Sequence, residues 1–284
     1  MIKYIHFLNL DIVAGVAATG ILAERITQSH LPLSWWFVVP LSAWVVYTAD
    51  RLIDVRLAPA EHPTFRHQFH ARHASLLTVI CVVAMALVVT VALMTFSPWM
   101  LIAAPLCAVF IVAHHVLQRA TSRRFAGTLK DTNVILIYAF ATWFIPLGLG
   151  GFSVTAVMAL VTFTSIVTAI VLQLSISDTS TDTELGVSSS ALEMGLPRAR
   201  LLMRLCLGAA TVISVAMFFL AVLRTPFDVI RTTSDVPLAI VLLCMCVCTA
   251  LLPFAFGRLQ RPHARLTSEL ILSLPYLLLF FPHT

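Results

Sequence analysis

Apolar residues along this chain do not alternate with polar ones. They come in unbroken runs, and almost all charge lies in the short stretches between them. Nine runs stand out, at 5–23, 33–50, 75–96, 98–117, 132–150, 153–176, 201–223, 236–256 and 267–282, most of them close to the ~20 residues a helix needs to cross a bilayer. Pro32, Pro98, Pro226 and Pro237 lie at or near the breaks, where helices start or stop. Gly148, Gly150 and Gly151 predict a tight turn between the fifth and sixth runs. The expected fold is all-α: one integral membrane domain over 1–284, with nine transmembrane helices around a central cavity open to the cytoplasmic side.

Composition agrees with the pattern. Of 284 residues 60% are hydrophobic and 11% charged, and the mean hydropathy of +0.96 is far above that of a soluble domain. The first run is interrupted by Asn9 and Asp11 and lacks a small-residue cleavage site, so it is expected to be retained rather than cleaved as a signal peptide. The net charge of +5 does not point to nucleic acid, because no basic run is interleaved with aromatics. With the N-terminus inside, 15 of the 18 Lys and Arg residues fall in inside segments, leaving only Arg25, Arg224 and Arg231 outside. That asymmetry supports both nine spans and a cytoplasmic N-terminus, as in a multi-pass protein of a bacterial inner membrane, with the C-terminus on the opposite side. All six cysteines lie in apolar runs. Cys244, Cys246 and Cys248 cannot all share one helix face, which favours packing over metal binding.

Two acidic motifs supply the candidate chemistry: Asp50-Arg-Leu-Ile-Asp54 and Asp178-Thr-Ser-Thr-Asp182. Each follows a long apolar run, and carboxylates beside a bilayer are costly enough to mark functional positions. The i, i+4 spacing puts both acids of a pair on one face if the segment is helical. Two such pairs suit divalent cations, and Mg²⁺ is the hard cation that takes one or two carboxylates together with phosphate oxygens. Arg123, Arg124 and Lys130, from the basic stretch 118–131, are candidates for the remaining phosphate charge. Asp50, Asp54, Asp178 and Asp182 with these cations make up what a prenyl diphosphate site needs, while the apolar spans offer a slot for the isoprenoid tail.

The second motif resembles that of the UbiA superfamily of intramembrane aromatic prenyltransferases, in which Asp-x-x-x-Asp-x-x-x-Gly is matched by Asp178, Asp182 and Gly186. The family's first motif, Asn-Asp-x-x-Asp-x-x-x-Asp, is matched at Asp50 and Asp54, but Val46 and Tyr47 stand where it opens with Asn-Asp. Tyr47 offers one hydrogen bond and is a poor Mg²⁺ ligand. The resemblance implies nine helices, Mg²⁺, a prenyl diphosphate donor and a hydrophobic, aromatic acceptor in the bilayer. It places Lys130 beside the diphosphate and Asn9 on the substrate chamber. The Val46-Tyr47 departure keeps open a non-catalytic protein that binds an isoprenoid or anionic lipid. A transporter fits less well, since its ionisable groups belong near the midplane.

Plainer readings stand beside these. Asp50 and Asp54 suit a solvated helix end paired with Arg51 and Arg56; Arg123, Arg124 and Lys130 suit topology; Asn9 suits a helix–helix hydrogen bond. Glu184 and Glu193 read as solvated loop acids. His62, His67, His70 and His73 read as a polar interfacial helix face, His114 and His115 lie near the proposed cavity, and the five tryptophans read as interfacial belts and lipid packing.

Overall fold

Lipid offers backbone N–H and C=O groups no partners, so apolar runs of this length close their hydrogen bonds internally as helices. The computed structural model describes residues 7–57, 65–120, 126–185, 188–224, 235–258, 267–268 and 270–281, and among them there is no strand. In chain order the helices are α1 (Leu10–Thr27), α2 (Leu33–Leu57), α3 (Phe65–Arg72), α4 (Ala74–Thr95), α5 (Pro98–Leu101), α6 (Ala103–Ala120), α7 (Ala126–Gly150), α8 (Val154–Leu185), α9 (Ser190–Met194), α10 (Leu196–Arg224) and α11 (Asp235–Arg258). A 3₁₀ helix, Leu274–Phe280, follows.

Among the described residues, five stretches are both long and apolar enough to cross a membrane: Ala74–Thr95, Gly127–Gly150, Val154–Ser180, Leu196–Leu223 and Val236–Pro253. Their surfaces say what solvent they meet. On α4, Val82 is 64% exposed and Leu93 65%. A contiguous apolar face of that kind is a liability in water and ordinary in a bilayer. The described residues are those of an all-helical membrane protein.

The chain divides into two compact units, residues 1–17 with 31–101, and residues 18–30 with 102–284. In the first, α2 packs on α4 through Trp44, Val45, Leu52, Leu77, Cys81 and Ala84. In the second, α8 packs against α7, α9, α10 and α11. Its Ala156, Ala159 and Ala169 are fully buried, small side chains that let neighbouring helices approach closely. The aromatic core of this unit stacks Tyr138 on Phe163 at 5.9 Å and sets Trp143 at 5.9 Å from the same ring.

Several expectations change. The first run does not enter its helix directly: Asn9 has φ 55°, and α1 starts at Leu10. The fourth run is broken after Leu101, and the last ends as a 3₁₀ helix. Gly148 and Gly150 are helical, and the turn falls at Gly151, whose φ of 84° suits glycine. Gly150 is needed for another reason, since a Cβ there would meet the Thr27 carbonyl oxygen at 2.0 Å. Trp35, Trp44 and Trp143 are buried rather than interfacial, and Trp44 donates its indole N–H to the Leu8 carbonyl at 2.7 Å. Within the Cys244–Cys248 run, Cys246 is buried 3.8 Å from Ser214 Oγ while Cys244 faces outward.

Candidate functional site

Both acidic motifs are helical. α2 runs on to Leu57 and carries Asp50 and Asp54; α8 runs on to Leu185 and carries Asp178 and Asp182. The i, i+4 positions of each pair therefore lie on one helix face, as their spacing requires. The stretch 177–185, expected as loop, is rich in Ser and Thr, which usually favour caps and turns. Here the hydroxyls turn back onto the helix: Ser177 Oγ donates to the Leu174 carbonyl at 2.7 Å, Thr179 to Ile176 at 2.8 Å and Thr183 to Thr179 at 2.7 Å. The hydroxyls are thus accommodated within the helix, which runs unbroken to Leu185.

Length places the acids at one end of the second unit. Asp178 lies 24 residues beyond Val154, about 36 Å at 1.5 Å per residue, slightly more than a ~30 Å hydrocarbon core. α7 runs the other way and joins α8 through the turn at Gly151, so its first residues return to the same end. Lys130 and Asp131 stand near the start of α7, and Asp131 is within electrostatic reach of both Lys130 and Asp182. Asp178 and Asp182 are half-buried. Ser177 Oγ lies 3.5 Å from Asp178 Oδ1.

The segment 188–194 locks these helices together. Asp131 Oδ2 accepts the Ser190 N–H at 3.2 Å, and Ser175 Oγ, on α8, accepts the Ala191 N–H at 2.9 Å. Glu193, expected as a solvated loop acid, is instead bound from four sides. It accepts the Gly127 N–H at 2.7 Å, the Thr128 N–H at 2.9 Å, the Thr128 hydroxyl at 2.6 Å and the Ser188 hydroxyl at 2.6 Å. A carboxylate suits the positive N-terminus of α7 and satisfies two of its otherwise unpartnered N–H groups. Gly127 lets the segment lie against the helix backbone, since a Cβ there would meet the Ser189 backbone at 2.5 Å. Gly195, with φ 81°, ends α9 and turns the chain into α10.

In the first unit, Asn9 is fully buried in the turn before α1 and donates to Thr48 Oγ1 on α2 at 3.1 Å, a hydrogen bond two residues from Asp50. Asp50 and Tyr47 are half-buried. His70 is 1% exposed, inside rather than on a polar interfacial face, and its ring lies edge-on to Phe69 at 5.6 Å. The side chains of Asp54, His67, His114, His115 and Glu184, and all of His62, Arg123, Arg124 and Gly186, lie outside the described residues.

Asp131 and Glu193 were missed by the sequence reading. Asp131 had one available signal, an acid beside Lys130 in the first turns of a helix. Glu193 had a weaker one, an acid three residues after a Ser-Ser-Ser run. Among the described residues no three His, Cys, Asp or Glu side chains converge. The hard carboxylate pair at Asp178 and Asp182 fits Mg²⁺, which commonly takes one or two protein carboxylates and completes its shell with water and phosphate oxygens.

No family model matches the chain, and no curated protein sequence matches it significantly. Among solved structures it is similar to a UbiA homolog from Archaeoglobus fulgidus bound to GPP and Mg²⁺, with a TM-score of 0.60 and 12% identity. The similarity covers 98% of this chain and 99% of that one. The fold is thus that of a membrane protein of defined architecture. It is UbiA-like over nearly its whole length.

Proposed function

We propose that this protein transfers a prenyl group from a prenyl diphosphate to a hydrophobic acceptor, aromatic in the first instance, within the bilayer. The observation that carries the reading is the clustering, at one end of the α7–α8 hairpin, of Asp182 on the same helix face as Asp178 with Lys130 and Asp131. The similar fold bound to GPP and Mg²⁺ supports it. Asp178 and Asp182 serve as Mg²⁺ ligands, and Asp50 and Asp54 are assigned the same role. Lys130 takes residual phosphate charge, with Arg123 and Arg124 as further candidates. Asn9 and Tyr47 are assigned to the substrate side of the first motif.

Bound Mg²⁺ neutralises a diphosphate and makes it a better leaving group. The chain's own contribution is to hold acids and base at a fixed spacing on helices rather than loops, so that little ordering remains to be done on binding. Lys130 contributes a compact point charge with three donors, suited to a phosphate oxygen that the carboxylate side cannot approach. The apolar helix surfaces keep water from the allylic centre, so that the acceptor rather than water captures it.

The test is release of diphosphate from geranyl diphosphate and transfer to a panel of membrane-soluble aromatic acceptors. Wild type releases diphosphate with Mg²⁺, and Asp178→Asn and Asp182→Asn do not while remaining in the membrane. Undiminished turnover in both variants defeats the assignment. Val46 and Tyr47, in place of oxygen ligands, favour a second reading, a protein that binds an isoprenoid or anionic lipid without reacting it. That reading predicts binding with no diphosphate released under any acceptor.

A further inference from the structure

Glu193 lies outside both acidic motifs, yet it holds the start of α7 through three hydrogen bonds and the approach to α9 through a fourth. Its four donors come from three residues: Gly127 and Thr128 at the first turn of α7, and Ser188 on the approach to α9. The same segment is fixed on its other side by Ser175 of α8 and one turn further along α7 by Asp131. Gly127, Thr128 and Asp131 stand at i, i+1 and i+4, so this face of α7 is pressed against 188–194. Lys130 is one residue from Asp131, about 100° around the helix. Its direction is therefore set by how α7 is rotated, and the clamp fixes that rotation.

We infer that Glu193 is the positioning residue of the diphosphate site: by clamping the first turn of α7 to the segment behind Asp182, it aims Lys130 at the anion. This deepens the functional reading above and rests on it. Glu193 touches neither substrate nor metal in this arrangement. Its carboxylate is suited to the task because all four contacts are donors. Glutamine, of nearly the same shape, presents an NH₂ where an acceptor is needed, so at least one donor faces another donor.

The experiment is a double-mutant cycle on binding of geranyl diphosphate with Mg²⁺ to the purified full-length protein. It compares wild type, Glu193→Gln, Lys130→Ala and the double variant, each also carried through thermal unfolding without ligand. Each single substitution is expected to weaken binding about tenfold, as for loss of one charge-assisted contact. The double variant should be weaker than wild type by little more than about tenfold, because Lys130 has lost its aim once Glu193 is changed. Ser188→Ala, which removes one donor and leaves the carboxylate, should show the same coupling with a smaller loss, about threefold, and it serves if Glu193→Gln does not fold.

Losses that multiply to about a hundredfold would overturn the inference, since independent sites add in free energy. So would a Glu193→Gln protein that melts earlier yet binds like wild type, which is the mark of a purely structural role. Absence of binding by wild type itself would instead defeat the diphosphate site, and the inference with it.

Discussion

Thr128 donates both its backbone N–H and its hydroxyl to Glu193, at 2.9 and 2.6 Å, across 65 residues of sequence. Burial works to raise the pKa of this carboxyl, but the hydrogen bonds from Ser188, Thr128 and Gly127 oppose it and prevail, so it sits below its ordinary value. A depressed folded pKa stabilises the protein fully above the unfolded value of about 4.3 and loses that contribution as pH falls through the folded value. The unfolding midpoint of wild type should therefore drop more steeply than that of Glu193→Gln as pH is taken from neutrality to below the usual carboxylate range. Parallel curves would show that the ionised carboxylate contributes nothing.

Two glycines allow a close approach at opposite ends of α7. A Cβ on Gly127 would meet the Ser189 backbone at 2.5 Å, and one on Gly150 would meet the Thr27 carbonyl oxygen at 2.0 Å. Each alanine substitution should lower stability by about 1–3 kcal/mol through overpacking. Only Gly127→Ala should also weaken Mg²⁺-dependent binding of geranyl diphosphate in the fraction that remains folded. Equal binding by the two variants would separate the clamp from the site.

The Val46-Tyr47 pair offers a gain-of-function test. Val46→Asn with Tyr47→Asp supplies oxygen and carboxylate ligands four and three residues before Asp50. The Mg²⁺ concentration giving half-maximal diphosphate release should then fall, by on the order of tenfold for one added carboxylate contact. An unchanged Mg²⁺ requirement would mean that these positions do not face the metal.

What the sequence made legible was whatever depends on local pattern. Apolar runs predicted helices, and i, i+4 spacing predicted that Asp178 and Asp182 share a helix face, because both follow from periodicity alone. The polar ends were harder. The run at 177–185 reads as loop by composition, yet it is helix, with Ser177, Thr179 and Thr183 bonded back to carbonyls of the preceding turn, an arrangement composition does not reveal. Glu193 was illegible for a different reason. Two of its three donor residues, Thr128 and Gly127, sit 65 and 66 residues away in sequence and meet it only once the α7–α8 hairpin has formed. Buried Trp35, Trp143 and His70 follow the same rule, since amphipathic side chains suit an interface or a core equally until packing decides.

The central claim is that the carboxylate pair on α8 holds a prenyl diphosphate through Mg²⁺. It is tested most directly by binding of geranyl diphosphate to the purified protein, with and without Mg²⁺, in wild type and Asp178→Asn. Binding that requires Mg²⁺ and disappears in Asp178→Asn is the predicted result. Binding by wild type that ignores Mg²⁺, or that survives in Asp178→Asn, would contradict it.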